Sequence, residues 1–377
     1  MLRTGYLIFI NWEAIVLKTF AICINLCRLF RLAIKISIFI AYISITLKSI
    51  KNIIPYIFSL FIASILLRYT YRNISFRELY SQIQELKWQW IGLSMLLGLS
   101  SHLIRAYRWK LLLQPLGFNL GLAKTFSALM TGYLSNLFVP RLGEIVRCSV
   151  LRRTTIAIPM GILLGTVALE RIIDLIGFLI VIVFTLLTSF SEIKSALQSI
   201  TFPSINYKML GWVLVGLIAV LGWCGFIIYR TCSQGYKNNL LARAKSFMIN
   251  IKKGFYGIQQ SQEKKLIVYT TIIKWGLYYL SDYVGLFAIQ TTSHLDWRAG
   301  LAILTMSSLS FAVPIQGAIG AYHMLVSSIL LAYGISQSNA LLYAGVIHAM
   351  HMLTILVCGG ISLFFTRLWA KQKKLSL

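Results

Sequence analysis

The chain has 377 residues, is 58% hydrophobic and 12% charged, and carries 36 Lys and Arg against 10 Asp and Glu, for a formal charge of +26. With a mean hydropathy of +0.76, that excludes an ordinary soluble domain and points to a polytopic helical membrane protein. The short alternating segments of a membrane β-barrel are absent, and the basic residues are spread over several loops, so the charge reads as attraction to an anionic leaflet, not to nucleic acid.

Residues 1–48 read as an N-terminal extension. Residues 1–27 are moderately apolar but carry Glu13 and Lys18, and 29–47 fits a further span or an amphipathic surface helix. No short apolar core with a small-residue cleavage site is evident there. The main domain is placed at 49–370 and a basic cytoplasmic tail at 371–377. Full spans are expected at 51–67, 90–113, 161–189, 211–229, 266–290 and 341–365. Two further apolar stretches, 123–140 and 301–332, are broken, the second at Pro314 to Gly320.

Loop charge sets the orientation. Residues 105–124 carry four basic groups and no acid, and 230–265 carry eight basic groups and one acid. The positive-inside bias places these loops, the start, 141–153 and the C-terminus in the cytoplasm. Both ends of 123–140 are then cytoplasmic, so it is expected to dip in and return, and 301–332 to form a hairpin or second re-entrant pair. Such broken backbone at membrane depth marks midplane sites in transporters. The expected class is all-α, with about six full spans plus two broken or re-entrant elements.

The densest polar signal is Glu170, Arg171 and Asp174, three charges within one apolar run. An ionised group near mid-bilayer costs several kcal/mol unless paired or hydrated, so these residues read as an intramembrane site, the alternative being a structural ion pair. Glu170 and Asp174 are one turn apart and share a face. Near the first break the chain reads Asn136-Leu-Phe-Val-Pro140-Arg141-Leu-Gly143-Glu144-Ile-Val-Arg147. If helical after Pro140, it places Arg141, Glu144 and Arg147 on one broad face, a net-positive group suited to phosphate. This segment is expected to face Glu170. Arg105, Arg108 and Trp109 end the second span, where interfacial anchoring explains them equally well. Lys274 and Asp282, eight residues apart, each read as an isolated charge.

Six scattered cysteines form no C-x-x-C pair, and His348 and His351 have no carboxylate or cysteine close by in sequence, so no metal site and no cofactor is assigned. No P-loop, H-E-x-x-H or G-x-S-x-G is present.

These residues carry a resemblance. Arg105-x-x-Arg108-Trp109, then Asn136-x-x-x-Pro140-Arg141-x-Gly143-Glu144-x-x-Arg147, then Glu170-Arg171-x-x-Asp174, then a late Pro/Gly turn, resemble in order and spacing the lysylphosphatidylglycerol synthase transmembrane region family, also called flippase-like domain proteins. The resemblance covers about residues 50–370. The family's late motif commonly reads Pro-Gly-Gly-Ile-Gly-x-x-Glu; here Pro314, Gly317 and Gly320 are followed by His323 at the glutamate position.

The resemblance implies an inner-membrane helical domain that accommodates lipids. Fused members also carry a soluble aminoacyl-transferase domain, which is not expected in a chain whose longest loop is 230–265, so lysyl transfer is not carried over. The favoured reading is a protein that binds and translocates an anionic phospholipid or other lipid-phosphate through a groove of Asn136, Arg141, Glu144, Arg147, Glu170, Arg171 and Asp174. Arg105, Arg108, Trp109, Pro140, Gly143, Pro314, Gly317, Gly320 and His323 support it. The alternatives are an enzyme on lipid-linked substrates, such as polyprenyl-phosphate glycosyl transfer, and a subunit recruiting a partner enzyme or a second copy through its basic surface.

Overall fold

Long apolar runs satisfy their backbone groups internally by coiling, and wherever the computed structural model describes regular structure, the element is helical. The described residues are 54–72, 76–139, 141–155, 158–199, 263–313 and 315–375. They form eleven α-helices: α1 Ile54–Tyr71, α2 Phe76–Gln84, α3 Trp88–Leu113, α4 Leu122–Phe138, α5 Gly143–Thr154, α6 Met160–Thr188, α7 Phe190–Ser199, α8 Lys264–Gly285, α9 Trp297–Ser310, α10 Ala321–Ala332 and α11 Gln337–Leu375. Residues from Ser59 onward make one unit; 54–58 are grouped with the residues before them.

Five of the six expected spans fall on α1, α3, α6, α8 and α11; the sixth, 211–229, lies outside the described residues, as do 1–48, Pro140 and Pro314. By length and composition, one described helix is able to cross a membrane, Gln337–Lys373. A second is counted if Met160–Thr188 and Phe190–Ser199, bent by 100°, form one broken span. Arg105, Arg108 and Lys110 in α3, and Lys264, Lys265 and Lys274 in α8, make those two segments less apolar. The apolar part of α1, Ser59–Tyr71, is short.

Helices α3 and α8 share the largest interface. Small side chains let them approach: Ser94 Oγ donates to the Ser281 carbonyl at 2.8 Å and Ser281 Oγ to the Ser94 carbonyl at 2.9 Å. Buried Ala299, Ala302, Ile303, Val326, Ile329, Ala340, Tyr343 and Ala344 form the main apolar core, built on α9, α10 and α11. The opposite surface is oily. Leu175, Ile176, Leu179, Ile180 and Val183 of α6 and Val268, Ile272 and Ile273 of α8 are exposed, as are Ile361 and Phe364 of α11. Burying a core face while leaving a second apolar face bare suits helices surrounded by lipid.

The second broken stretch breaks where expected, but 123–140 does not dip and return within itself: it is one continuous helix, and the chain turns only at its end. Helix α4 ends at Phe138, Val139 is extended, Arg141 is left-handed with φ 64°, and α5 folds back on α4. Helix α9 ends at Ser310 and α10 starts at Ala321, with a 3-10 turn at Gln316–Ala318 between them, and the two helices pack together. Two stretches read as loops are helical instead. Helix α2 packs Leu79 and Ile83 against the main core, and α7 buries Ile193 and Ala196 there. Both are amphipathic surface helices, too short and too polar to register as spans.

Candidate functional site

The site grows from the last turns of α3. Arg105 and Arg108, one turn apart, both point at α6, whose Glu170 and Asp174 are also one turn apart and so present a matching pair. Arg105 Nε donates to Glu170 Oε1 at 2.6 Å, and its Nη2 lies 3.4 Å from Asp174 Oδ2. Arg108 Nη2 donates to Asp174 Oδ1 at 2.5 Å and Arg108 Nη1 to Thr271 Oγ1 of α8 at 3.0 Å. Lys274 of α8 reaches the same Asp174 oxygen at 2.6 Å. From the other side Arg147 of α5 brings Nη1 to 3.0 Å from Glu170 Oε2.

Four cations thus surround two carboxylates, leaving a formal +2. Glu170 and Arg108 are fully buried, and Asp174 keeps 12% of its side chain exposed. Aromatic rings take part of the remaining positive charge. Arg147 lies over the Trp109 ring at 4.8 Å, Arg105 over Tyr133 at 5.5 Å and Lys274 over Trp275 at 4.3 Å. Trp109 is held in turn by Thr166, whose hydroxyl accepts from the indole N–H at 3.1 Å.

Arg147 is the least satisfied member. Its Nε and Nη2 are buried and have no hydrogen-bond partner. Beside it a narrow notch of about 10 Å³, room for roughly one water molecule, lies between α4, α5 and α6, lined by Tyr133, Asn136, Gly143, Glu144, Arg147 and Arg171 among others. Glu144 and Arg171 pair across it at 2.7 Å and are partly exposed, 30% and 45%. The notch depends on the tight start of α5. Asn136 Oδ1 accepts the Gly143 N–H at 2.7 Å, and a Cβ on Gly132 would come within 2.7 Å of the Gly143 carbonyl. Gly at both positions lets α4 and α5 touch backbone to backbone.

The residues read from the sequence therefore fall into two places. Glu144, Arg147, Arg171 and Asn136 surround the notch, while Glu170 and Asp174 sit behind it in a closed ion cluster, with Arg147 belonging to both. Arg141 stands apart from both. Because α5 begins at Gly143 and Arg141 is left-handed, Arg141 does not share the Glu144–Arg147 face; its Nη2 donates to the Ala312 carbonyl at 3.2 Å, at the other break. Arg105, Arg108 and Trp109 are buried partners of the cluster, not interfacial anchors. Lys274 is the member that reading residues singly undervalued. A lone lysine in an apolar helix was its signal, but its partner lies on another helix.

At the second break, Gly317 and Gly320 have φ 55° and 85°. The Gly317 carbonyl meets His348 Nε2 at 2.8 Å, and His323 Nδ1 accepts the Gly320 N–H at 3.3 Å. His323 thus caps α10. His351 meets Ser281 Oγ at 3.2 Å. Among the described residues no group of three or more His, Cys, Asp or Glu has metal-site geometry.

No curated protein and no solved structure matches this chain. The model of one family, described as Lysylphosphatidylglycerol synthase TM region, matches residues 56–359. The chain therefore belongs to the lysylphosphatidylglycerol synthase transmembrane region family and is a membrane protein whose regular elements, among the described residues, are all helical.

Proposed function

We propose that the chain binds the phosphate-bearing headgroup of an anionic lipid in the α4–α5–α6 notch and moves that lipid across the membrane. The observation that carries this reading is Arg147, a buried guanidinium with Nε and Nη2 free of hydrogen-bond partners beside an opening. A guanidinium offers two parallel donors matched to a phosphate's oxygens. The excess positive charge behind it favours an anion, and the field is strong because the cluster is dry.

The barrier to lipid flip-flop is drawing a polar headgroup through hydrocarbon. In this reading the notch, which as it stands has room for about one water, widens between α4, α5 and α6 to replace headgroup water, while the acyl tails stay against the exposed apolar faces of α6 and α8. Arg171, already at the mouth, exchanges Glu144 for the incoming phosphate. The buried ion cluster keeps Arg147 in place throughout. The membrane arrangement belongs to the same reading: about six full spans, re-entrant hairpins at both breaks, residence in the inner membrane and a cytoplasmic C-terminus, as the basic loops demand.

The test is flipping of headgroup-labelled phosphatidylglycerol in liposomes carrying the full chain, comparing wild type with Arg147→Ala and Arg171→Ala at matched protein. Loss of one charge-assisted hydrogen bond, about 1.5–3 kcal/mol, slows flipping roughly tenfold or more. Arg171 is exposed enough that its loss leaves folding intact. Equal rates in all three proteins would end the reading.

A further inference from the structure

Asp282 lies on α8, two helical turns beyond Lys274, and takes no part in the ion cluster. It is buried, 5% exposed. Its Oδ2 lies 3.0 Å from Ser307 Oγ of α9. Among the described residues no Lys, Arg or His forms an ion pair with it. The titratable groups facing it are Tyr343 of α11, whose hydroxyl donates to the Asp282 backbone carbonyl at 2.5 Å, and Tyr322 of α10. His351 of α11 touches the neighbouring Ser281, and α3 offers Ser94 there. The charged groups of α6 meet α8 at its Lys274 end, not at this one.

Burial and the contacts of Ser307 together favour the neutral form of the carboxyl group. Ser307 Oγ is 3.0 Å from Asp282 Oδ2 and also 3.0 Å from the Leu304 carbonyl oxygen. A hydroxyl has one proton, and a carbonyl oxygen only accepts. Ser307 serves an ionised Asp282 only by turning its one proton away from Leu304, whereas a protonated Asp282 donates to the serine oxygen and leaves both contacts as hydrogen bonds. Ionisation would leave a buried carboxylate with a contested hydroxyl and no cation among the described residues, a costly form in this setting. Asp174 on α6 shows the contrast, since Arg108 and Lys274 both donate to it.

We propose that Asp282 is a proton-binding site, distinct from the lipid notch, which holds one proton at the α8–α9 seam. The proton comes from water and returns to water when the carboxyl ionises. The inference does not rest on the lipid reading.

The test is infrared difference spectroscopy of the full chain in liposomes, cycled between acid and alkaline buffer in light and heavy water. The wild type is expected to show the C=O stretch of a protonated carboxyl group, shifted down in heavy water and lost on alkalinisation. Asp282→Asn, which matches the neutral form in shape, is expected to lose that band entirely, and Asp174→Asn to keep it. Ser307→Ala moves the band to higher frequency by removing the hydrogen bond, and serves if Asp282→Asn does not assemble. A band that survives in Asp282→Asn, or that ignores Ser307→Ala, or its absence from the wild type, would overturn the proposal.

Discussion

The two breaks in this bundle are secured by opposite means. At the first, between α4 and α5, an asparagine holds the backbone, and one turn into α5 the chain places Glu144 and Arg147 against the charges of α6. At the second, between α9 and α10, neutral groups do the work: His348 meets the Gly317 carbonyl, His323 accepts from Gly320, and the Ser59 hydroxyl donates to Gln316 Oε1 at 3.0 Å. The first break leaves guanidinium nitrogens without partners beside an opening. At the second, backbone groups freed by the break meet side-chain partners. A break that satisfies its own polar groups holds a fold together, whereas one that leaves a buried cation unsatisfied has capacity for a ligand.

The comparison breaks most sharply at Glu170. Glu170→Gln removes the charge that Arg105 and Arg147 share inside a dry cluster. Removing one member of a buried ion pair costs about 3–5 kcal/mol, so this variant is expected to show the largest fall in melting temperature in detergent. A fall no greater than that of an exposed change such as Glu144→Gln would mean that the cluster is not structural.

Gly143→Ala comes next. A methyl group there meets the Gly132 carbonyl and lies 2.7 Å from the Asn136 amide, so α4 and α5 must separate. Overpacking of this kind costs roughly 1–3 kcal/mol. The same variant is expected to lose lipid flipping, since the notch lies along that contact; full flipping with lowered stability would place the lipid elsewhere.

The smallest effect sharpens the second break. Ala318 has φ 57°, in the left-handed region. The left-handed conformation costs an L-residue about 1–2 kcal/mol, and the added freedom of glycine in the unfolded chain takes back about 0.4–1. Ala318→Gly is therefore expected to raise stability by about 0.5–1 kcal/mol in chemical denaturation, with flipping unchanged. A loss of stability would show that Ala318 packing outweighs its backbone strain.

Much of this was legible before any coordinates. Charges inside apolar runs are rare because they are costly, so Glu170, Arg171 and Asp174 announced themselves. The spacing of Asn136, Gly143, Glu144 and Arg147 resembled a family whose model matches residues 56–359. Helices α2 and α7 are amphipathic, with a helical period in their sequence, but are short and polar enough to be passed over in a search for spans.

Composition and pattern by themselves determined that the chain is helical and belongs in a membrane, that the second broken stretch turns near Gly317 and Gly320, and which charges cannot be left to lipid, because those follow from local hydropathy and from glycine geometry. Only the tertiary structure decided who meets whom. The rotation of α3 aims Arg105 and Arg108 at α6, the crossing of α8 delivers Lys274 to Asp174, and a left-handed Arg141 turns that side chain away to Ala312. Pairing across helices depends on the angle and rotation at which they pack, and no spacing along one strand of sequence contains that information.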